Sequence, residues 1–228
     1  MTGFDWLQAS QKQWDERALF WSERSKNMWD NGSRKKIIPF INQHLNAGDH
    51  VLDIGCGDGY GTHKLHQAGY KVTGMDISSN MIAFAQERWN ENGLSFKQGA
   101  VESLSQSPTK FQAIMAINVL EWTEIPADAI KQIKNHLETD GLFFAGILGP
   151  TAGPRANGYS RLYGEKTIAN SMMPWEFLQL AQELGFTYND GFGVYKKGVN
   201  DNHLEGLPLE LKQALSFMWV FCLKKGGE

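Results

Sequence analysis

The stretch VLDIGCGDGYGTHKL, Val51 to Leu65, constrains the fold more than any other part of the chain. A short apolar run ending in Asp53 passes into glycines at alternate positions, Gly55, Gly57, Gly59 and Gly61, and a helical pattern follows. Glycine permits positive φ and carries no Cβ, and the start of a helix exposes free backbone N–H groups. A strand that turns through such a loop into a helix belongs to an α/β sheet, and the loop is a place where a ligand can touch backbone.

The remainder of the chain repeats this alternation. Tyr70 to Met75 reads as a second strand, Leu94 to Lys97 as a third, Phe111 to Ile117 as a fourth and Gly141 to Leu148 as a fifth. Between them lie helical patterns: Ser79 is placed to cap one carrying Ile82, Ala85 and Trp89, and Ala127, Ile130, Ile133 and Leu137 mark another. Continuous apolar strands are those of a parallel sheet covered on both faces. Pro174 to Leu184 then reads as a helix, and Phe186 to Tyr195 and Ser216 to Leu223 as two more strands. The expected fold is an α/β, Rossmann-like, seven-stranded and mostly parallel sheet with helices on both faces and an N-terminal helical extension. The 228 residues, 42% of them hydrophobic, suit a single domain. Its expected parts are a helical cap over residues 1–46, a cofactor-binding core over 47–148, and an acceptor-side loop with C-terminal strands over 149–228.

In the cap, Trp14, Ala18, Trp21, Ser25 and Met28 recur at helical spacing from Gln11 to about Trp29. A second helical pattern, Ser33 to Leu45, is interrupted by Pro39, as a kink or as its true start. The formal charge of −3 and the scattered groups Arg34-Lys35-Lys36, Lys196-Lys197 and Lys224-Lys225 disfavour a nucleic-acid partner. Cys56 and Cys222 have neither disulfide-framework nor zinc spacing, and the six histidines form no ligand set, so no metal is expected. With no apolar stretch near the roughly 20 residues of a membrane span, and no leader pattern at the N-terminus, the reading is a cytoplasmic protein without a membrane partner.

The ligand of the glycine loop follows from spacing and charge. The third residue after Gly57 is Tyr60, so the dinucleotide spacing G-x-G-x-x-G fails, and the Gly-Lys-Ser/Thr of a phosphate-cradling loop is absent. Asp53, two residues before Gly55, repels an anion and favours a ligand with an ammonium group. A second acid, Asp76, closes the next strand in GMDIS, where a carboxylate can accept two hydrogen bonds from vicinal ribose hydroxyls.

VLDIGCGDGYG followed by VTGMDIS resembles the class I S-adenosylmethionine-dependent methyltransferases of the small-molecule type, over about His50 to Leu148. The resemblance implies that Asp53 and the Gly55 backbone hold the methionine end, that Asp76 holds the ribose and that Ile77 lies against the adenine. Cys56, Gly57 and Gly59 complete the loop. In QGAVESL, Ala100 stands where relatives often carry an acid for the adenine amino group, so backbone groups of Ala100 and Val101 or the Glu102 side chain serve there instead. Asn118 in INVLEW falls where relatives contact the methionine moiety through main chain.

Many relatives that methylate oxygen or carbon show a histidine in the position held here by Trp122, so a histidine base is disfavoured. Glu121, Tyr159 and Tyr163 are the remaining catalytic candidates. Trp21, Trp122 and Arg155 are candidates for the acceptor pocket, with the N-terminal tryptophans either closing over the site or packing on the sheet. The implied activity is in-line methyl transfer from S-adenosylmethionine to a small-molecule acceptor, with S-adenosylhomocysteine as product. The alternatives are a non-catalytic sensor or partner subunit that binds the same cofactor, and a nucleic-acid methyltransferase.

Overall fold

A computed structural model describes residues 4–106 and 108–227. Seven strands form one sheet in the order β3-β2-β1-β4-β5-β7-β6: β1 His50–Ile54, β2 Lys71–Asp76, β3 Leu94–Gln98, β4 Phe111–Ile117, β5 Leu137–Leu148, β6 Phe186–Tyr195 and β7 Ser216–Lys225. The first five run parallel, and β7 pairs antiparallel with both β5 and β6. The order reverses between β1 and β4, so their carboxyl ends flank the crevice where open α/β sheets take ligands.

Both faces of the sheet are dry because successive strand residues feed two separate cores. Leu52, Ile114, Ala116, Phe143 and Ala145 pack beneath helices α5 (Pro126–His136) and α6 (Pro174–Glu183). Their neighbours Val51, Ala113, Met115 and Phe144 pack on the opposite face, with Leu65 of α3 (Tyr60–Gln67) and Ile37, Phe40 and Ile41 of α2 (Ile37–Ile41). This two-sided burial is why the strands read as unbroken apolar runs.

Local differences from the sequence reading have simple causes. Pro39 sits inside α2, in the first turn, where its missing N–H costs nothing. Helix α4 spans Ser79–Arg88, and its cap is Ser78, not Ser79: the Ser78 hydroxyl accepts from the Met81 N–H, 3.1 Å away. Strand β5 begins at Leu137, ahead of Gly141, across an irregularity in its pairing with β4 and a left-handed Asp140 (φ 61°). Two short helices between β6 and β7, α7 (Asp201–Leu204) and α8 (Leu209–Ala214), lacked a readable period, and the segment after β5 coils into a 3-10 helix over Gly153–Tyr163.

The N-terminal helix α1, Trp6–Asp30, is longer than its pattern suggested. It lies across the carboxyl ends of the strands and is fastened along its length. Trp6 Nε1 donates to the Trp122 carbonyl (2.7 Å). Asp15 accepts from the Ser78 hydroxyl (2.6 Å) and the Asn80 N–H (3.1 Å), at the start of α4. Arg88 of α4 pairs with Asp58 (2.8 Å) and donates to the Ser22 hydroxyl (2.7 Å). Near the far end, Asp30 accepts from Tyr60 and Lys64 of α3. No helix among the described residues is long and apolar enough to cross a membrane.

Candidate active site

One cavity runs beneath α1, over the carboxyl ends of β1, β2, β4 and β5. At one end its wall is the glycine loop. Gly57 has φ +57°, and a Cβ there would meet nothing nearer than Met81 Sδ at 3.9 Å, so it would stand in the space a ligand can use. The Gly57 N–H donates to Asp76 Oδ2 (2.9 Å), and the Ser78 N–H donates to Oδ1 (2.9 Å). Those two bonds fix the carboxylate at the end of β2 with acceptor capacity left over. Burial pushes the Asp76 pKa up, and the same two N–H groups oppose the shift.

The other glycines of the run have different duties. A Cβ on Gly55 would collide with Val119 at the end of β4, and one on Gly61 with the indole of Trp29. At Gly59 a Cβ would come within 2.9 Å of the Phe96 ring and of Ala85, so this residue seats α3 against β3 and α4. Gly55 and Gly57 therefore line the cavity, while Gly59 and Gly61 serve packing and do not.

Cys56, Ile77, Ala100, Val101, Glu102 and Asn118 all line the cavity. Asn118 has φ 58°, a left-handed conformation for a residue with a side chain, held by its N–H to the Gly146 carbonyl (2.8 Å). The Cys56 thiol is pushed well above its usual range by burial and by Asp76, Asp53 and Asp58, which removes it as a nucleophile.

Asp53 is not brought to the cavity wall. Its side chain is buried, Oδ2 accepts from the Thr62 hydroxyl (2.7 Å), and burial pushes its pKa up to about 7. It ties β1 to α3 from behind the loop. A cation does reach the wall: Arg34, which the sequence shows only as part of a basic triplet. Burial pulls its pKa down, while Asp53 and Asp58 draw it back up, so the guanidinium stays cationic among acids.

The opposite end of the cavity is aromatic. Trp14 and Trp122 meet edge to face, with centroids 5.5 Å apart and planes at 72°, and Leu148 and Phe217 pack with them. The N-terminal tryptophans thus divide their work: Trp14 and Trp21 close over the cavity, and Trp29 packs into the core. Trp21 Nε1 is buried without an acceptor among the described residues, as at a site where a ligand supplies one.

Four other candidates lie off the cavity. Glu121 is 2% exposed behind the Trp122–Leu148 wall, where Oε1 accepts from the Leu148 N–H (2.6 Å) and burial pushes its pKa up to about 7. Arg155 is turned inward as a backbone clamp, donating to the carbonyls of Gly149 (2.8 Å), Met172 (2.8 Å) and Leu148. Tyr159 and Tyr163 are 57% and 75% exposed and pack on each other instead. All three side chains of the segment after β5 that looked ligand-facing thus turn elsewhere: the 3-10 coil redirects them, and Pro154 alone reaches the cavity from this helix.

Residues 51–141 match a family model described as a methyltransferase domain. Over that segment, which holds β1 to β4 and the start of β5, the chain is similar to a methyltransferase domain. A ubiquinone biosynthesis O-methyltransferase of Actinobacillus pleuropneumoniae is 34% identical over 140 residues, 54% of this chain and 60% of that protein. The chain thus spans three fifths of that relative's length. Among solved structures, magnesium protoporphyrin IX methyltransferase from Synechocystis with bound S-adenosylhomocysteine aligns with a TM-score of 0.66 at 16% identity, covering 95% of this chain and 98% of that one. A 4+2 cyclase aligns at 0.71 and 17% identity over 97% of each chain. Similarity at these identities establishes the shared fold.

Proposed function

We propose that the chain is an S-adenosylmethionine-dependent methyltransferase that acts on a small molecule enclosed beneath α1. Its 228 residues would work as one domain, with cap, core and acceptor-side segments at 1–46, 47–148 and 149–228, in the cytoplasm. The observation that carries this reading is the single cavity itself. A glycine loop and a preset carboxylate stand at one end, an aromatic chamber at the other, and no wall divides them.

S-adenosylmethionine, when bound, supplies a methyl group on a sulfonium for in-line displacement. The residues of this chain position and enclose. Asp76, already oriented by the N–H groups of Gly57 and Ser78, accepts the ribose hydroxyls. Ile77, Met81 and Val101 offer apolar surface to the base, with Glu102 at its edge. Arg34 pairs with the carboxylate of the methionine end, and Gly55, Gly57 and Asn118 give it a close backbone approach. Helix α1 keeps water from the reacting atoms, which then need only the right separation and alignment.

Isothermal titration with S-adenosylhomocysteine tests the donor half: binding is expected, and a chain that takes NADH instead overturns the reading. Labelled donor offered with fractionated metabolites and with bulk RNA tests the acceptor, and label is expected in the metabolite fraction. A protein that binds the donor without transferring its methyl group is the second reading. It draws on the lack, among the described residues, of an ionisable side chain in the aromatic half of the cavity. Donor bound but never consumed across the metabolite fractions would favour it.

A further inference from the structure

The ionisable side chains lining the cavity are Arg34, Cys56, Asp58, Asp76 and Glu102, all on the glycine-loop and β2–β3 side. Around Trp14 and Trp122 the described wall is apolar, apart from the hydroxyls of Ser10 and Thr123 and the amide of Asn118, whose backbone carbonyl accepts from Trp122 Nε1. The Thr123 hydroxyl is already committed, donating to the Leu120 carbonyl (2.9 Å). A hydroxyl is no base near neutral pH, and the Glu121 carboxyl, next in sequence to Trp122, is buried off the cavity lining and accepts from the Leu148 N–H. The indole N–H groups of Trp6 and Trp122 are likewise spent on backbone, on the carbonyls of Trp122 and Asn118. What this half presents is aromatic surface, Trp14 and Trp122 packed edge to face at 72°, which favours flat ligands and, over an indole face, positive charge.

Resting on the methyltransferase reading, we propose that the acceptor is a flat heteroaromatic ring, methylated on an unprotonated, pyridine-type ring nitrogen. The nitrogen lone pair forms the new N–CH3 bond as the S–CH3 bond breaks, and the breaking pair returns to sulfur, which leaves as a neutral thioether. One positive charge passes from sulfur to the ring, and no proton is lost, so no base is required. A phenol or alcohol acceptor would need a base that the described residues of the chamber do not supply, and a carboxylate would need a cation there. The charge arrives beside Trp14 and Trp122, whose indole faces stabilise it in the transition state and in the product.

Two measurements test this. First, N-methylquinolinium and its neutral isostere 1-methylnaphthalene are titrated into the intact protein without donor. The cation should bind about 10-fold more tightly. Trp14→Leu and, separately, Trp122→Leu should each abolish that preference, with melting curves run to confirm folding and Trp14→Leu as the milder change. Equal binding of the two probes by the unaltered protein overturns the inference. Second, quinoline and isoquinoline are offered with S-adenosylmethionine beside 1-naphthol and 2-naphthol. An N-methyl cation is expected by mass spectrometry from the first pair only. Methylation of the naphthols, or no N-methyl product from the quinolines, overturns the inference while leaving the donor reading intact. Failure to bind S-adenosylhomocysteine removes both together.

Discussion

The two halves of the cavity differ in how they are built. The donor half is made of short, nearly contiguous pieces of chain: the loop from Gly55 to Asp58, Asp76 and Ile77 at the end of β2, and Ala100 to Glu102 after β3. It is polar and charged, and its backbone is preset by hydrogen bonds such as that from Gly57 to Asp76. The acceptor half gathers Trp14 from α1, Trp122 from beyond β4, Leu148 from the end of β5 and Phe217 from β7, and it is shaped by packing. Yet each half is backed by one buried carboxyl raised to about 7, Asp53 behind the glycine loop and Glu121 behind the aromatic wall. Preset polar geometry ties one half to one ligand class. A packed wall with little hydrogen bonding can be recut by substitution without disturbing the other end.

That separation is most exposed to test at Asp76. Replacing it with alanine removes the ribose acceptors and the partner of two backbone N–H groups, and S-adenosylhomocysteine should bind roughly 100-fold more weakly, a loss of about 3 kcal/mol. N-methylquinolinium affinity should stay within about twofold, because no charge or hydrogen bond of that half changes. A parallel loss of both affinities would show that the halves are coupled. Within the glycine run, Gly61→Ala should lower stability by about 1–3 kcal/mol through collision with the Trp29 ring, with donor affinity unchanged in the protein that remains folded. Gly57→Ala should instead weaken the donor about tenfold, since its new methyl group enters the cavity. Titration and thermal melts of the pair separate packing glycine from ligand glycine.

Legibility follows the same division. The donor half could be read because strand, glycines and acids lie within a few residues of one another, and each residue type has a steric or electrostatic reason to be there. The strand order could be read in outline because burial on both faces leaves apolar runs. Asp53 was misplaced for a physical reason: charge and position in sequence say nothing of which side of a loop a carboxylate faces, and Thr62, one turn into α3, captured it. Arg34 escaped because a cation is recognised by what it meets, and its neighbours Asp53 and Asp58 arrive from another part of the chain. One signal was available. The inward face of α1 carries Ser10, Ser22 and Ser25 among its tryptophans, and small polar residues on a buried face mark a helix that roofs a cavity instead of filling a core.

The paired carboxyls sharpen the comparison through pH. Glu121 titrates near 7 in the folded chain but near 4.5, its ordinary value, when unfolded, so the folded state prefers the protonated form. Its stabilising contribution is complete below pH 4.5 and is lost as pH rises towards and through 7. Glu121→Gln keeps an oxygen for the Leu148 N–H and cannot ionise. Relative to the unaltered protein it should gain about 2 kcal/mol between pH 5 and pH 8 in denaturant titrations, with donor affinity unmoved. A flat difference would mean that Glu121 is solvated in the native state.

The smallest expected effect concerns residues that sequence reasoning had placed at the site. Tyr159 and Tyr163 stand at a carboxyl strand end, where loops usually carry function, but the 3-10 helix from Gly153 turns both rings to solvent. A phenol on the outer surface can neither relay a proton from the acceptor nor shape the aromatic chamber. Tyr159→Phe and Tyr163→Phe, alone or together, should leave donor affinity, N-methylquinolinium affinity and turnover within about twofold of the unaltered protein. A larger fall in turnover with both affinities intact would mean that this helix swings inward during the reaction. The acceptor half would then include a wall contributed by motion, in contrast to a donor half that is complete at rest.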